Sequence, residues 1–250
     1  MSQKILDSIK TIIMQRNIIK PKDLETELDL TVSTCRRYLL KLEETGFIKR
    51  EFGEIIYNDN NYYQVDKDAK NEINKNKTVK KKLAKMGAFL AEKYEVIFVD
   101  ASSTNYYLFE YLNKNKIIYT NSLLNASYAI SNGFTKVNII SGLIKNQTMT
   151  IIPTNIIELT RIRFPISFIG VNAISNKNEL MTTEINEGLS KKTISEQSDF
   201  VVVMAEKEKF NHSSVYDFST KTHTLVITDK VNCTKNDNFN VMNINIKNKE

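Results

Sequence analysis

Residues 31–50 read TVSTCRRYLLKLEETGFIKR, and the order of residue types in this stretch decides the first third of the molecule. Thr31 stands where a helix N-cap belongs, and Gly46 stands where a helix running to about Thr45 would stop. On that helix Cys35, Tyr38 or Leu39, and Leu42 share the inward face, while Ser33, Thr34, Arg36, Arg37 and Lys41 share the outward one. Working backwards, a short helix opens near Pro21 and buries Leu24 and Leu28. Before it, Ile5, Leu6, Ile9, Ile12 and Ile13 recur at helical spacing over residues 3–16. Working forwards, FIKREFGEIIY (47–57) supplies two short β-prone runs around Phe52-Gly53, the pattern of a hairpin. Three helices followed by a hairpin make a winged helix-turn-helix, a fold that sets one helix into the DNA major groove.

Charge placement favours that reading more than total charge does. The chain has 250 residues and a net charge of +6, yet residues 67–85 alone hold eight lysines against Asp68 and Glu72, which accounts for the whole excess. In the first 66 residues acids slightly outnumber bases. The acids gather on the second helix (Asp23, Glu25, Glu27, Asp29), and Lys49 and Arg50 begin the wing, where backbone phosphates are within reach. Small hydroxyls at the start of a helix and forked guanidinium groups beside them suit base edges and phosphates. The expected DNA-binding residues are therefore Thr31, Ser33, Thr34, Arg36, Arg37, Lys41, Lys49 and Arg50, and the expected partner is a double-stranded DNA operator.

From residue 78 the pattern changes. VIFVD (96–100), IIYT (117–120), VNII (137–140), ISFIG (166–170), FVVVM (200–204) and LVIT (225–228) are short, β-branched and apolar throughout, as strands buried on both faces are. Helical stretches are expected near 78–92, 103–113, 123–132, 155–163 and 184–197. This alternation predicts a doubly wound α/β domain. The domain plan is thus 1–60 for the winged helix-turn-helix, 61–77 for a linker and 78–250 for an effector-sensing α/β domain. Hydrophobic content of 41% and charged content of 26% suit a globular protein, and no apolar run nears the roughly 20 residues that span a bilayer. MSQKILDSIK lacks the apolar core of a secretory signal, and two cysteines, Cys35 and Cys233, make no disulfide framework. A cytoplasmic protein without membrane association is the expectation.

The quoted motifs resemble those of the DeoR family of bacterial sugar-catabolism regulators. Thr31, Thr34, Arg36, Arg37, Leu39, Leu42, Glu43, Gly46 and Arg50 match its helix-turn-helix signature in order; Tyr38 replaces an Asp, and Phe52-Gly53 stands for a His-Gly-Gly turn. The resemblance extends over almost the whole chain. VIFVDASSTNYYL (96–108) looks like the family's strand ending in Asp, then Gly-Thr-Thr and a helix, with Ser102 in place of the Gly. Thr120-Asn121-Ser122, Ser141-Gly142, Lys145, Thr148, Gly170, Asn172, Thr182, Thr183, Glu187 and Lys191 or Lys192 follow in family order. Ala205, Glu206, Lys209 and Phe210 then resemble an Ala-Asp-x-x-Lys-Phe motif. The family likeness implies a sensor domain similar to the ribose-phosphate isomerase, glucosamine-phosphate deaminase and CoA-transferase superfamily, with a small phosphorylated sugar as effector.

These positions end successive strands, where open α/β sheets bind ligands. The candidate effector residues are Asp100, Ser102, Ser103, Thr104, Thr120, Asn121, Gly142, Lys145 and Lys209, with Ser103, Thr104 and Lys209 nearest a phosphate. Simpler roles exist for each: Asp100 capping a helix, Thr120 and Asn121 fixing a turn, Lys209 on the surface. Two competing readings remain. A sugar-phosphate isomerase or deaminase would need a positioned acid or base, for which Asp100, Glu206 or His212 are available. An RNA-binding adaptor would use the basic 67–85 segment, with only Tyr62 and Tyr63 to stack on bases. The leading expectation is a repressor of a sugar-metabolism operon, a homodimer or homotetramer, with no cofactor, metal or catalytic residue. The helix at 78–92 is its expected coupling element.

Overall fold

The computed structural model describes residues 3–16, 18–44, 47–57, 66–230 and 236–244. The helix stop assigned to Gly46, the stacking pair Tyr62 and Tyr63, and Cys233 lie outside these. The chain divides into two compact units, Met1–Tyr63 and Gln64–Glu250.

In the first unit, helix α1 (Gln3–Arg16) leads through strand β1 (Ile18–Ile19) to α2 (Pro21–Glu27) and α3 (Val32–Glu44), and then to β2 (Ile48–Glu51) and β3 (Glu54–Tyr57). Thr31 Oγ1 accepts the Thr34 N–H at 3.3 Å, which starts α3 as its position in the sequence requires. Both Tyr38 and Leu39 turn inward, with Cys35 and Leu42, onto Ile9, Ile13, Leu24 and Ile55. The hairpin turn is two residues long. Phe52 and Gly53 have φ of 51° and 81°, the left-handed pair that matches the twist of the flanking strands. β1 was not expected; Ile18 and Ile19 pair with Ile56 and Ile55, giving a three-stranded antiparallel sheet in the order β1-β3-β2. Two residues carry too little periodicity to be read as a strand.

The second unit begins with α4 (Ala69–Asn74) and α5 (Lys77–Ala91). It continues through β4 (Val96–Val99), β5 (Ile117–Thr120), α6 (Leu123–Ser131) and β6 (Val137–Ile139). A hairpin follows, β7 (Leu143–Lys145) with β8 (Thr150–Ile152), then a single turn α7 (Ile156–Leu159) and β9 (Ser167–Ile169). Next come β10 (Ala173–Ile174), β11 (Leu180–Thr182), α8 (Ile185–Glu196), β12 (Val201–Ala205), β13 (Tyr216–Asp217), β14 (Thr224–Thr228) and β15 (Asn240–Asn243). The seven-stranded sheet runs β15-β14-β12-β9-β4-β5-β6, and every pair in it is parallel. Alternate side chains go to opposite faces: Ile97, Val99, Val202 and Met204 join the core under α5, while Phe98, Val201, Val203 and Ala205 join the one under α8. Burial on both faces is why these strands are apolar runs and not alternating patterns.

The structure differs from the sequence reading in several places. The helix expected at 103–113 is a 3-10 helix, Asn105–Glu110, and the one expected at 155–163 shrinks to α7. Hairpin β7–β8, the antiparallel sheet β10-β11-β13 and edge strand β15 were unread, because strands of two to four residues with mixed polarity give no clear period. Residues 66–77, assigned to a linker, are built into the second unit. Asp68 caps α4 by accepting the Asn71 N–H at 3.0 Å, and the Tyr107 hydroxyl donates to the Ile73 carbonyl at 2.9 Å.

The chain leaves β4 towards β5 and β6, then returns to place β9 on the other side of β4. A reversal of this kind opens a crevice at the carboxyl ends of the two strands.

Candidate functional site

On the first unit, Ser33, Arg36, Arg37 and Lys41 project from the exposed face of α3, and Lys49 is exposed on β2. Thr31 Oγ1 lies 3.2 Å from Ser33 Oγ and donates to Thr34 Oγ1 at 2.9 Å, so the hydroxyls form a small ordered group at the start of the helix. Arg37 lies over the ring of Tyr38, 5.8 Å from its centre, which restrains the guanidinium without using its donors. Arg50 departs from expectation. Its Nε faces Glu43 at 3.2 Å and its side chain is only 30% exposed, so it ties the wing to α3.

On the second unit, a cavity of about 110 Å³ occupies the crevice between β4 and β9. Ala101 to Thr104 after β4, Ser122 and Asn125 after β5, and Gly170 to Asn172 after β9 supply its floor. Thr148 and Thr150 from the β7–β8 hairpin, Glu187 and Lys191 from α8, and Lys209 after β12 make its walls, and Asp66, Lys67, Glu72 and Ile73 close it. Of the expected effector residues, Ser102, Ser103, Thr104 and Lys209 therefore line the space.

Asp100, Thr120, Asn121, Gly142 and Lys145 stand behind this lining and shape it. Asp100 is fully buried; its Oδ1 accepts from Asn121 Nδ2 at 2.6 Å, and its Oδ2 accepts from Gly170 N at 2.8 Å and from Lys191 Nζ. Asn121 Oδ1 in turn accepts the Ala101 N–H at 2.7 Å, so one amide and one carboxylate lock three strand ends together. Thr120 Oγ1 donates to the Val99 carbonyl at 2.6 Å, which spends it on the sheet. Gly142, at φ 157°, lies where a Cβ would fall 2.1 Å from the Ile152 carbonyl oxygen; it lets the β7–β8 hairpin close. Ser102 Oγ accepts the N–H groups of Thr104 at 3.2 Å and Asn105 at 3.5 Å. The turn after β4 thus spends Ser102 Oγ on the first N–H groups of the 3-10 helix and offers hydroxyls to the cavity.

Around the cavity the charges alternate in an unbroken chain: Asp66, Lys145, Glu187, Lys191, Asp100. Lys145 contacts Asp66 and lies 3.5 Å from Glu187, and Lys191 lies 3.2 Å from Glu187 and contacts Asp100. Burial alone would lower Lys191, but the Asp100 and Glu187 carboxylates outweigh it and hold its pKa above the ordinary lysine value. Lys145 is raised in the same way, burial being overcome by Asp66 and Glu187. Burial alone would raise Asp66, yet hydrogen bonds from Lys145 and Thr183 hold its carboxyl below the usual range. Burial lowers Lys209, and the Glu206 and Glu72 carboxylates offset only part of that effect. Glu206 is pushed up by burial, with Lys80 at 3.5 Å offsetting part of the effect, and burial lowers Lys80 itself.

Two polar atoms in this lining lack a hydrogen bond among the described residues: Thr148 Oγ1 and Glu187 Oε2. Buried polar atoms normally find a partner, so atoms left over in a cavity wall mark places where a ligand can supply one. Thr148 and Glu187 followed the family pattern in sequence but were not among the expected contacts. Asp66 and Glu72 were missed as site residues, because residues 61–77 were read as a linker. Among the described residues no group of three His, Cys, Asp or Glu could hold a metal ion, and no helix is long and apolar enough to cross a membrane.

Comparison with known proteins places these features in context. The model of the DeoR C-terminal sensor domain matches residues 75–230. The HTH-type transcriptional regulator FruR of Bacillus subtilis is 27% identical over 90% of this chain and 88% of its own length. The lactose phosphotransferase system repressor of Streptococcus mutans is 26% identical over 75% of each chain. Among solved structures, ribose 5-phosphate isomerase A from Methanocaldococcus jannaschii is 16% identical, with a TM-score of 0.38 over 54% of this chain and 55% of that one.

Proposed function

The chain belongs to the DeoR family, and from that premise we propose that it is a DNA-binding transcriptional regulator of a sugar-metabolism operon, a repressor released by a phosphorylated sugar. The exposed α3 face supports the DNA-binding part. Arg36 and Arg37 are free to fork onto guanine edges or phosphates, Ser33 and Thr34 to reach neighbouring groups, and Lys41 and Lys49 to meet the backbone on either side. Arg50 contributes through its hold on the wing. The protein acts as a homodimer or homotetramer, so that paired α3 helices meet half-sites a whole number of DNA turns apart.

The observation that carries the ligand reading is a pair of buried oxygens without a hydrogen bond among the described residues, Thr148 Oγ1 and Glu187 Oε2, the latter facing Lys145 at 3.5 Å, in a cavity whose lining is rich in hydroxyls and charged side chains. A polyhydroxylated ligand fits that chemistry: its hydroxyls satisfy the acceptors, while Ser102, Ser103, Thr104 and Lys209 receive its oxygens. Ligand binding acts on DNA only through a difference in affinity between operator-competent and incompetent states. The deciding experiment measures binding of the full chain to its own upstream DNA, with and without a panel of sugar phosphates. Specific binding that one sugar phosphate releases is the expected result. Specific binding that none of them alters would discard the ligand class, and no specific binding at moderate salt would discard the regulator.

A further inference from the structure

Asp66 sits in the cavity as an anion would. Its carboxylate accepts from Lys145 Nζ on β7, from Asn172 Nδ2 at 3.2 Å after β9, and from Thr183 Oγ1 at 2.7 Å after β11. Three donors from three separate elements, one of them cationic, converge on one negatively charged group. Such a seat is built for an anion, and here the chain supplies its own occupant.

We propose that Asp66 is an internal competitor of the effector, and that an anionic group of the ligand, phosphate in the first instance, takes the seat of Lys145, Asn172 and Thr183 by displacing it. This rests on the sugar-phosphate reading above. Two observations support it. Asp66 itself forms part of the cavity wall, so its carboxylate occupies space and donors that a ligand could use. The charged side chains lining the cavity are Asp66, Glu72 and Glu187 against Lys67, Lys191 and Lys209, so the lining is neutral until Asp66 leaves and +1 afterwards. An incoming dianion is therefore attracted only as the internal carboxylate departs.

Before α4, the chain next to Asp66 has only surface holds among the described residues. Gln147 Nε2 donates to the Asp66 carbonyl at 3.1 Å and its own carbonyl accepts from Ala69 N at 3.1 Å, both at the surface. In sequence Asp66 lies three residues beyond Tyr63, the last residue of the first unit. A ligand that expels Asp66 thus frees the stretch of chain that leads out of the DNA-binding unit. Regulation then needs no long relay through the sheet: the signal starts at the residue that the ligand replaces.

The test compares the full chain with Asp66→Asn and Gln147→Ala. Gln147→Ala loosens the segment without changing the charge or any of the three seat donors. Titrations use ribose 5-phosphate, fructose 6-phosphate and fructose 1,6-bisphosphate, with ribose and fructose as uncharged controls. Hydrogen exchange follows residues 66–74. Asp66→Asn should bind the phosphorylated ligand about tenfold more tightly and Gln147→Ala a few-fold more tightly, because the cost of expelling the occupant is reduced. Ribose and fructose should show no gain, and ligand should deprotect residues 66–74 of the unaltered chain. Equal or weaker binding by both variants, or a bound ligand that leaves 66–74 protected, would overturn the competition while leaving the sugar-phosphate reading intact. Binding of no sugar phosphate to any of the three proteins would overturn both.

Discussion

The two units treat charge in opposite ways. Among the described residues the first unit buries Leu6, Ile9, Ile13, Leu24, Leu39 and their neighbours and no charged side chain; Arg36, Arg37 and Lys41 on α3 and Lys49 on β2 stay outside. The second unit buries Lys80, Asp100, Lys116, Glu187, Lys191 and Glu206. Reading a polyanion needs cations that water can reach, since the partner is itself large and supplies the contact surface. Selecting a small ligand needs groups whose positions are fixed before it arrives. Buried ion pairs do this at a cost, because their desolvation consumes most of their attraction. Lys116 shows a purely structural use: its ammonium donates to the carbonyls of Ala91 at 2.8 Å and Glu92 at 3.1 Å, and to Tyr94, closing the C-terminal end of α5. Lys191 is different, for both of its carboxylate partners belong to the cavity's frame.

This contrast breaks first at Lys191. Lys191→Met would leave Asp100 and Glu187 buried beside each other without a counter-charge, and should destabilise the second unit by about 3–5 kcal/mol. Denaturant unfolding of the full chain checks it, and a loss below about 1 kcal/mol would show that the alternating chain of charges is not the frame of the site. On the other side of the comparison, Arg36→Ala and Arg37→Ala should leave unfolding unchanged and each weaken operator binding by about 1–3 kcal/mol. Unchanged operator affinity in both would remove α3 as the reading helix. The smallest effect concerns pH. The Asp66 carboxyl is held down in the folded state, so its contribution is complete above its unfolded pKa and fades as pH falls through the lower folded value. Lys145 is held up, so its contribution is complete below its unfolded pKa and fades as pH rises through the higher folded value. The stability difference between the unaltered chain and Asp66→Asn should therefore stay flat from about pH 5 to about pH 9 and shrink towards either extreme. A difference that changes steadily through neutral pH would contradict the pairing.

The parts of this architecture that local chemistry specifies were legible in the sequence. The central strands announce themselves because burial on both faces demands continuous β-branched runs, and α3 because a hydroxyl cap, an apolar stripe and an arginine pair fall on consistent faces. The hydroxyl turn at Ser102 to Thr104 was legible for a similar reason. What escaped depends on partners far away in the chain. Asp100 was recognised as a special position, but that all its oxygens are used by Asn121, Gly170 and Lys191 emerges only when three strand ends meet. Asp66 escaped altogether, since its partners are 79, 106 and 117 residues downstream and no spacing reports them. The antiparallel sheet β10-β11-β13 escaped because its strands are too short for any period to show.

The strand order also bears on how the sheet grows during translation. β4 emerges from the ribosome before the other six, and β5 and then β6 add to one of its edges while β9, β12, β14 and β15 add in turn to the other. No newcomer has to wedge itself between two strands already paired. Growth from the middle outward therefore keeps a single live edge on each side at every stage, which limits the time that unpaired strand edges are open to wrong partners.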